Sequence, residues 1–252
     1  LVLIFDGKER SFFTSMFLKS NKKFGVLQNK KINFFWKLLN IKFVLDDEKT
    51  NLIDIYQKLF DLAQINTNIK YYNFLTLKED NQFSSKINCE KYIQIHLDEK
   101  WSNKLYISKY KEINPSYNEF TDLLLNLSED YNILITTGIL DYELVNVLIS
   151  NFFKKIDHKI YFSDVSKNKI FLIYKPSLLD LESLIKRAKI LISCHGAVIH
   201  MANSFNVKIY DIIDQNKKDW YLRFTSYLKN HNLIYRDNFN LIAKQLVNNL
   251  KL

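Results

Sequence analysis

The feature that most limits what this chain can become is the alternation of short apolar runs, each of strand length, with segments of helical periodicity. That alternation predicts parallel sheets covered by helices, an α/β protein. Leu1–Phe5, Phe24–Leu27, Ile41–Leu45 and Lys70–Leu75 read as strands, while Leu52, Ile55, Tyr56, Leu59, Phe60 and Ala63 form one helical face. The polar stretch Lys78–Lys91, with Ser84-Ser85, reads as a linker. A second unit opens with the strand Tyr92–His96; Pro115-Ser116 start a helix, and Asn132–Thr136 make the next strand. A helix at 144–152, the strand Ile170–Tyr174, a helix at Leu178–Lys186, the strands Lys189–Ser193 and Val207–Ile213 and a helix around Ile242–Leu250 complete the series. The expected organisation is two Rossmann-like domains with parallel sheets, residues 1–85 and 86–252, the first too short to be complete. The chain opens inside a strand and without an initiator Met, as a piece of a longer chain would.

The 252 residues, 47% hydrophobic and 25% charged, suffice for one large core or two modest ones and show no bias toward disorder. A net charge of +9 favours anionic partners: nucleic acid, anionic lipid or phosphorylated sugar. The basic residues are spread, as in Lys19-Ser20-Asn21-Lys22-Lys23 and Lys217-Lys218, which reads as a solvated surface. Cys89 and Cys194 lie far apart with no CxxC spacing, against a zinc site or disulfide framework and in keeping with free thiols in a reducing compartment. No run approaches the roughly 20 apolar residues of a membrane span, and no secretion signal opens the chain. The expected location is the cytoplasm, with peripheral contact to the cytoplasmic face of an anionic inner membrane.

In open parallel sheets ligands bind beyond the carboxyl ends of strands, where helix N-termini present unpaired N–H groups. The turns after His96, Thr136 and Ser193 are therefore the candidates. In Ser193-Cys194-His195-Gly196-Ala197-Val198-Ile199-His200, Gly196 admits a close backbone approach, the next helix offers N–H donors to a phosphate, and His195 and His200 add side-chain donors. The same residues also suit a bare strand-to-helix junction. After His96, Lys104 is suited to hold a diphosphate and Trp101 to pack against a sugar or base; a surface loop with an aromatic anchor is the alternative. After Thr136, Asp141 reads as a helix cap and Glu143 as a ribose ligand. Asp46-Asp47 reads as a solvated turn, and no DxD-like pair stands at a strand end.

These residues resemble the family nine glycosyltransferases, which include the bacterial ADP-heptose:lipopolysaccharide heptosyltransferases. His96-Leu97-Asp98-Glu99-Lys100-Trp101-Ser102-Asn103-Lys104-Leu105-Tyr106 is similar to the family's HPGxxWxxKxW segment, with Tyr106 in place of the second Trp. Leu181–Ser193 is similar to the helix and strand before the family's D-[ST]-G-x-x-H-x-A motif. Here Gly196 and His200 stand one residue further apart and the acidic residue is absent. Phe5-Asp6-Gly7-Lys8-Glu9-Arg10-Ser11 and Lys22-Lys23-Phe24-Gly25 resemble later strands of the family's N-terminal domain. The HGA tripeptide at 195–197 also resembles other inverting glycosyltransferase families.

The resemblance implies a GT-B-like fold, residues 1–85 being the rest of the acceptor-side domain and 86–252 the nucleotide-sugar domain. It implies inverting, metal-independent transfer from a nucleotide sugar, ADP-heptose among the candidates, to a lipopolysaccharide or other glycan or lipid-linked acceptor. Lys104 is then expected at the diphosphate, Gly196 and Ala197 backbone with His200 at its other oxygens, Glu143 at the ribose, and His195 at donor sugar or acceptor. The catalytic base is expected upstream of Leu1, in a GD-containing loop. No cofactor, metal or nucleic-acid partner is expected. The alternatives are an enzyme of the same fold using another nucleotide sugar, a non-catalytic nucleotide-binding domain, and a basic nucleic-acid-binding module.

Overall fold

The computed structural model describes residues 1–6, 8–28, 40–47, 49–67, 83–87, 89, 91–102 and 111–250. The strand expected at 70–75, much of the linker at 78–91 and Lys104 lie outside them. By its contacts the chain forms two compact units, Leu1–Tyr72 with Asp219–Tyr227, and Asn73–Lys218 with Leu228–Leu252. A single cut at 85/86 has no place for the return segment 219–227.

In the first unit β1 (Val2–Ile4), β2 (Lys23–Leu27) and β3 (Ile41–Leu45) form a parallel sheet in that order, with α1 (Glu9–Phe17) and α2 (Leu52–Leu62) following β1 and β3. Side chains alternate across a strand, so β2 feeds two small cores. Phe24 and Val26 meet Ile55 and Leu59 of α2, while Leu27 joins Ile4, Ile41 and Phe12. Asn51 caps α2 by accepting the Ile53 N–H. Asp47 is exposed and receives Thr50 and Lys49, as a solvated turn should. Asp46 departs from that expectation: it is buried and paired with Arg223 of the return segment, whose Nε–H also donates to the Thr50 carbonyl at 3.1 Å.

The second unit runs α3 (Ser84–Ile87), β4 (Ile93–Leu97), α4 (Tyr117–Ser128), β5 (Ile133–Thr137), α5 (Glu143–Asn151), β6 (Lys154–Asp157), β7 (Ile160–Ser163), β8 (Ile170–Ile173), α6 (Leu178–Arg187), β9 (Ile190–Ser193), α7 (Ala197–Ser204) and β10 (Lys208–Ile213). After α8 (Lys218–Thr225) come β11 (His231–Tyr235) and α9 (Phe239–Leu250). The sheet order is β11-β10-β9-β4-β5-β8-β7-β6. Strands β11 through β8 are parallel, and β4, β5, β8 and β9 are buried along their whole length because helices cover both faces. Side chains of α4, α5 and α9 form the core on one face, and those of α3, α6 and α7 the core on the other. Two Ser caps start α4 and α6 with reciprocal bonds, Ser116 with Glu119 and Ser177 with Asp180.

Two features depart from the strand series expected, the first of them also from an all-parallel sheet. β7 runs antiparallel to both β6 and β8, the two-residue loop His158-Lys159 turning the chain with Lys159 at φ +64°. β11 extends the sheet at the other edge. β6, Lys154-Lys155-Ile156-Asp157, is largely exposed and carries no apolar run, and β11 is only partly buried at the sheet edge.

Candidate functional site

From β4 the chain moves one way, to β5 and β8, and then crosses back to lay β9 against the other side of β4, with His96 opposite Ser193. The carboxyl ends of β4 and β9 are thus the topological switch point, where an open α/β sheet leaves a crevice.

At the end of β4 a single 3₁₀ turn, Glu99–Trp101, is capped by Asp98, which accepts the Lys100 N–H at 3.1 Å and also pairs with the Lys100 ammonium. Burial lifts the Asp98 carboxyl above its ordinary range against the pull of Lys100. Burial opposes charge on Lys100 as well, but Asp98 outweighs it and raises the amine, which stays protonated. Arg236, just past β11, donates to the carbonyls of Lys100 at 2.6 Å and Lys111 at 3.3 Å and so braces the turn. His96 is buried, with Nδ1 3.1 Å from Thr136 Oγ1; burial pushes its pKa down to about 4, so the ring is neutral.

At the end of β9, Gly196 is the N-cap of α7 at φ 119°, ψ −168°, with no side-chain cap. That conformation is essentially restricted to glycine. A Cβ there would stand 3.0 Å from Lys100 Nζ, so an ammonium group overhangs the start of a helix whose first N–H groups lack a cap. His195 itself has φ 44°, a left-handed backbone that costs a non-glycine residue about 1–2 kcal/mol. Its backbone N–H donates to Asp211 Oδ1 at 2.9 Å and its Nδ1 lies 2.9 Å from Oδ2, bonds that offset the strain. His231 Nε2 meets the same Oδ2 at 3.1 Å. His200 is half-buried on α7; burial, then the neighbouring His195, lowers its pKa to about 4. Burial pushes the Cys194 thiol far up, which keeps it protonated. No group of three or more His, Cys, Asp or Glu among the described residues is arranged to hold a metal ion.

The structure thus brings His195, Gly196, Ala197 and His200 together at the switch point, and adds Lys100. Lys104 lies outside the described residues. Trp101 corrects the sequence expectation. It is wholly buried against Phe120 and Phe239, its indole N–H donating to the His96 carbonyl at 2.8 Å, and so has no ring face for a sugar or base. Glu143 is exposed at the start of α5 and lines a cleft of about 650 Å³ with Pro115, Tyr117, Tyr142 and Leu144. Asp141 does not cap that helix; it pairs with Lys175 at 2.8 Å and accepts the Tyr174 hydroxyl. The residues that sequence reasoning passed over are Lys100, Asp211, His231 and Arg236. One signal was available: a carboxylate, Asp211, interrupts the apolar run of β10, and a buried charge requires partners.

No protein-family model matches the chain, and no curated protein matches it. Solved structures do. The glycosyl transferase family 9 protein from Veillonella parvula DSM 2008 superposes with a TM-score of 0.65 at 13% identity, over 99% of this chain and 65% of that one. ADP-heptose lps heptosyltransferase II of E. coli gives 0.64 at 16% identity, over 99% of this chain and 74% of that one. The E. coli heptosyltransferase WaaC, solved with ADP, gives 0.59 at 11% identity, over 99% of this chain and 72% of that one. The chain therefore spans about two thirds to three quarters of the length of these proteins, and its two α/β units have the GT-B-like fold of the family nine glycosyltransferases and heptosyltransferases.

Proposed function

We propose that the chain is a glycosyltransferase, or the larger part of one, that takes a nucleotide sugar at the β4/β9 switch point and passes its sugar to a glycan or lipid-linked acceptor. The observation that carries this reading is the Lys100 ammonium standing over the Gly196 turn at the start of α7. An ammonium group and a run of uncapped N–H groups converge there, as a departing diphosphate requires. The backbone of Gly196 and Ala197, Lys100 and Lys104 hold the diphosphate, and His200 adds a neutral hydrogen bond. Glu143, on its cleft of apolar and aromatic walls, takes the ribose. Side chains and helix dipole neutralise the leaving group in place of a metal, and the resemblance to inverting families supports transfer with inversion. The reading places the protein in the cytoplasm, peripheral to the inner membrane; no helix among the described residues is long and apolar enough to cross a membrane.

The fold neighbours favour an adenine nucleotide, since WaaC was solved with ADP. Calorimetric titration with ADP, UDP, GDP and CDP tests this. Tight binding of ADP supports a heptosyl-type donor, and tight binding of another nucleotide supports the same enzyme class with a different sugar. Lys104→Ala should weaken binding, and unchanged affinity removes Lys104 from the site. No nucleotide binding, together with a steeply salt-dependent affinity for oligonucleotides, would overturn the enzyme.

A further inference from the structure

Asp211 stands on β10 with no exposure to solvent, on the same face of the strand as Ile209, which packs beneath α7. A carboxylate in that position must be compensated, and two imidazoles do so. Oδ2 is 2.9 Å from Nδ1 of His195 and 3.1 Å from Nε2 of His231, while Oδ1 accepts the His195 backbone N–H at 2.9 Å. Burial alone would raise the Asp211 carboxyl; the bonds from His195 and His231 overcome it and hold the group below its ordinary range, ionised. An ionised carboxylate only accepts hydrogen bonds, so each ring must turn an N–H toward it. The Nδ1 of His195 thereby carries the N–H that points at Asp211.

The two rings are not equivalent. His231 opens β11 at the amino end of the sheet and its side chain is 7% exposed; His195 lies at the carboxyl end, beside Gly196, and keeps 17%. Among the described residues, the titratable groups around His195 include Asp211, which it shares with His231, His200, whose ring centroid is 6.3 Å away, and Lys100 over the adjacent glycine. The left-handed backbone of His195, held by Asp211 Oδ1, fixes where that ring starts from.

We propose that Asp211 is a positioning residue that makes His195 the general base of this site. Nε2 of His195 takes the proton of the acceptor hydroxyl as the acceptor oxygen bonds to the anomeric carbon. The bond from that carbon to the diphosphate oxygen breaks, and its electron pair leaves with the diphosphate. The assignment rests on the sugar-transfer reading above and gives the chemistry a base within the nucleotide-sugar unit.

Protein labelled with ¹⁵N-histidine, examined by two-bond ¹H–¹⁵N correlation at pH 8, should show His195 as Nδ1–H, and Asp211→Asn should lose that pattern. Turnover is read as hydrolysis of the nucleotide sugar whose nucleotide binds tightest, water taking the acceptor's place. His195→Gln and Asp211→Asn should each slow it by about 10²–10⁴-fold, with nucleotide affinity kept within about threefold. An Nε2–H tautomer in the parent protein, or an Asn variant with the parent pattern, overturns the positioning role. A His195→Gln variant that loses nucleotide affinity in step with turnover makes His195 a diphosphate ligand and overturns the base. His195→Gln lies outside the buried carboxylate, so it decides the matter even if Asp211→Asn fails to fold. A parent protein that binds no nucleotide defeats the transfer reading instead, a result distinct from each of these.

Discussion

Replacing Gly196 with Ala separates the two constraints on the turn that opens α7. The backbone there, at φ 119° and ψ −168°, lies in a region closed to L side chains, and forcing alanine into it costs about 1–3 kcal/mol. The new methyl would meet Lys100 Nζ at 3.0 Å and Cε at 3.6 Å. Both belong to the far end of a flexible side chain that can swing aside, so the steric part is the smaller one. We expect a loss of about 2 kcal/mol of unfolding free energy, together with weaker nucleotide binding, because the displaced ammonium no longer overhangs the helix. Urea unfolding of the parent, Gly196→Ala, Lys100→Ala and the double variant closes a mutant cycle. If the strain is in the backbone, the coupling stays below about 0.5 kcal/mol. A single variant within about 0.5 kcal/mol of the parent, or a double variant in which Lys100→Ala restores the loss, would refute the reasoning.

Three further outcomes follow from the packing. Trp101→Ala should cost about 3–5 kcal/mol, whereas Trp101→Phe, which keeps most of the buried ring but drops the bond to the His96 carbonyl, should cost less and leave nucleotide affinity unchanged; a large affinity loss in the Phe variant would return Trp101 to the site. Arg223→Ala should destabilise the first unit by about 3 kcal/mol, since it strips the buried Asp46 of its cation, as thermal unfolding against an Asp46→Asn/Arg223→Ala double variant can show. In acid, His96 and His200 resist protonation in the native state, with pKa values of about 4, while the unfolded chain titrates near about 6.5. The unfolded state therefore binds more protons between those values. Their stabilisation is present above about pH 6.5 and is lost as pH falls toward 4, by up to about 1.4 kcal/mol per pH unit for fully buried His96 and less for half-buried His200. Urea midpoints at pH 7.5, 6 and 5 measure the slope, and His96→Gln should flatten it.

The sequence by itself determined the central strands and most of the helices that cover them, because strands buried on both faces must be apolar throughout and amphipathic helices must repeat their apolar face. Ile93, Ile95, Ile133, Ile135, Ile190 and Ile192 announce such strands, and Pro115-Ser116 announce a helix start within a residue. The turn after Ser193 was likewise legible, as a glycine between a strand and a helix. The tertiary structure alone decided which charges meet there. Lys100 reaches Gly196 across 96 positions of sequence, and Asp211 gathers His195 and His231, because β9 returns to lie between β4 and β10. It also sank Trp101 into the core and returned Arg223 to Asp46. Local pattern records how deeply each element is buried; strand order, set by packing the whole chain at once, records which polar groups must satisfy one another.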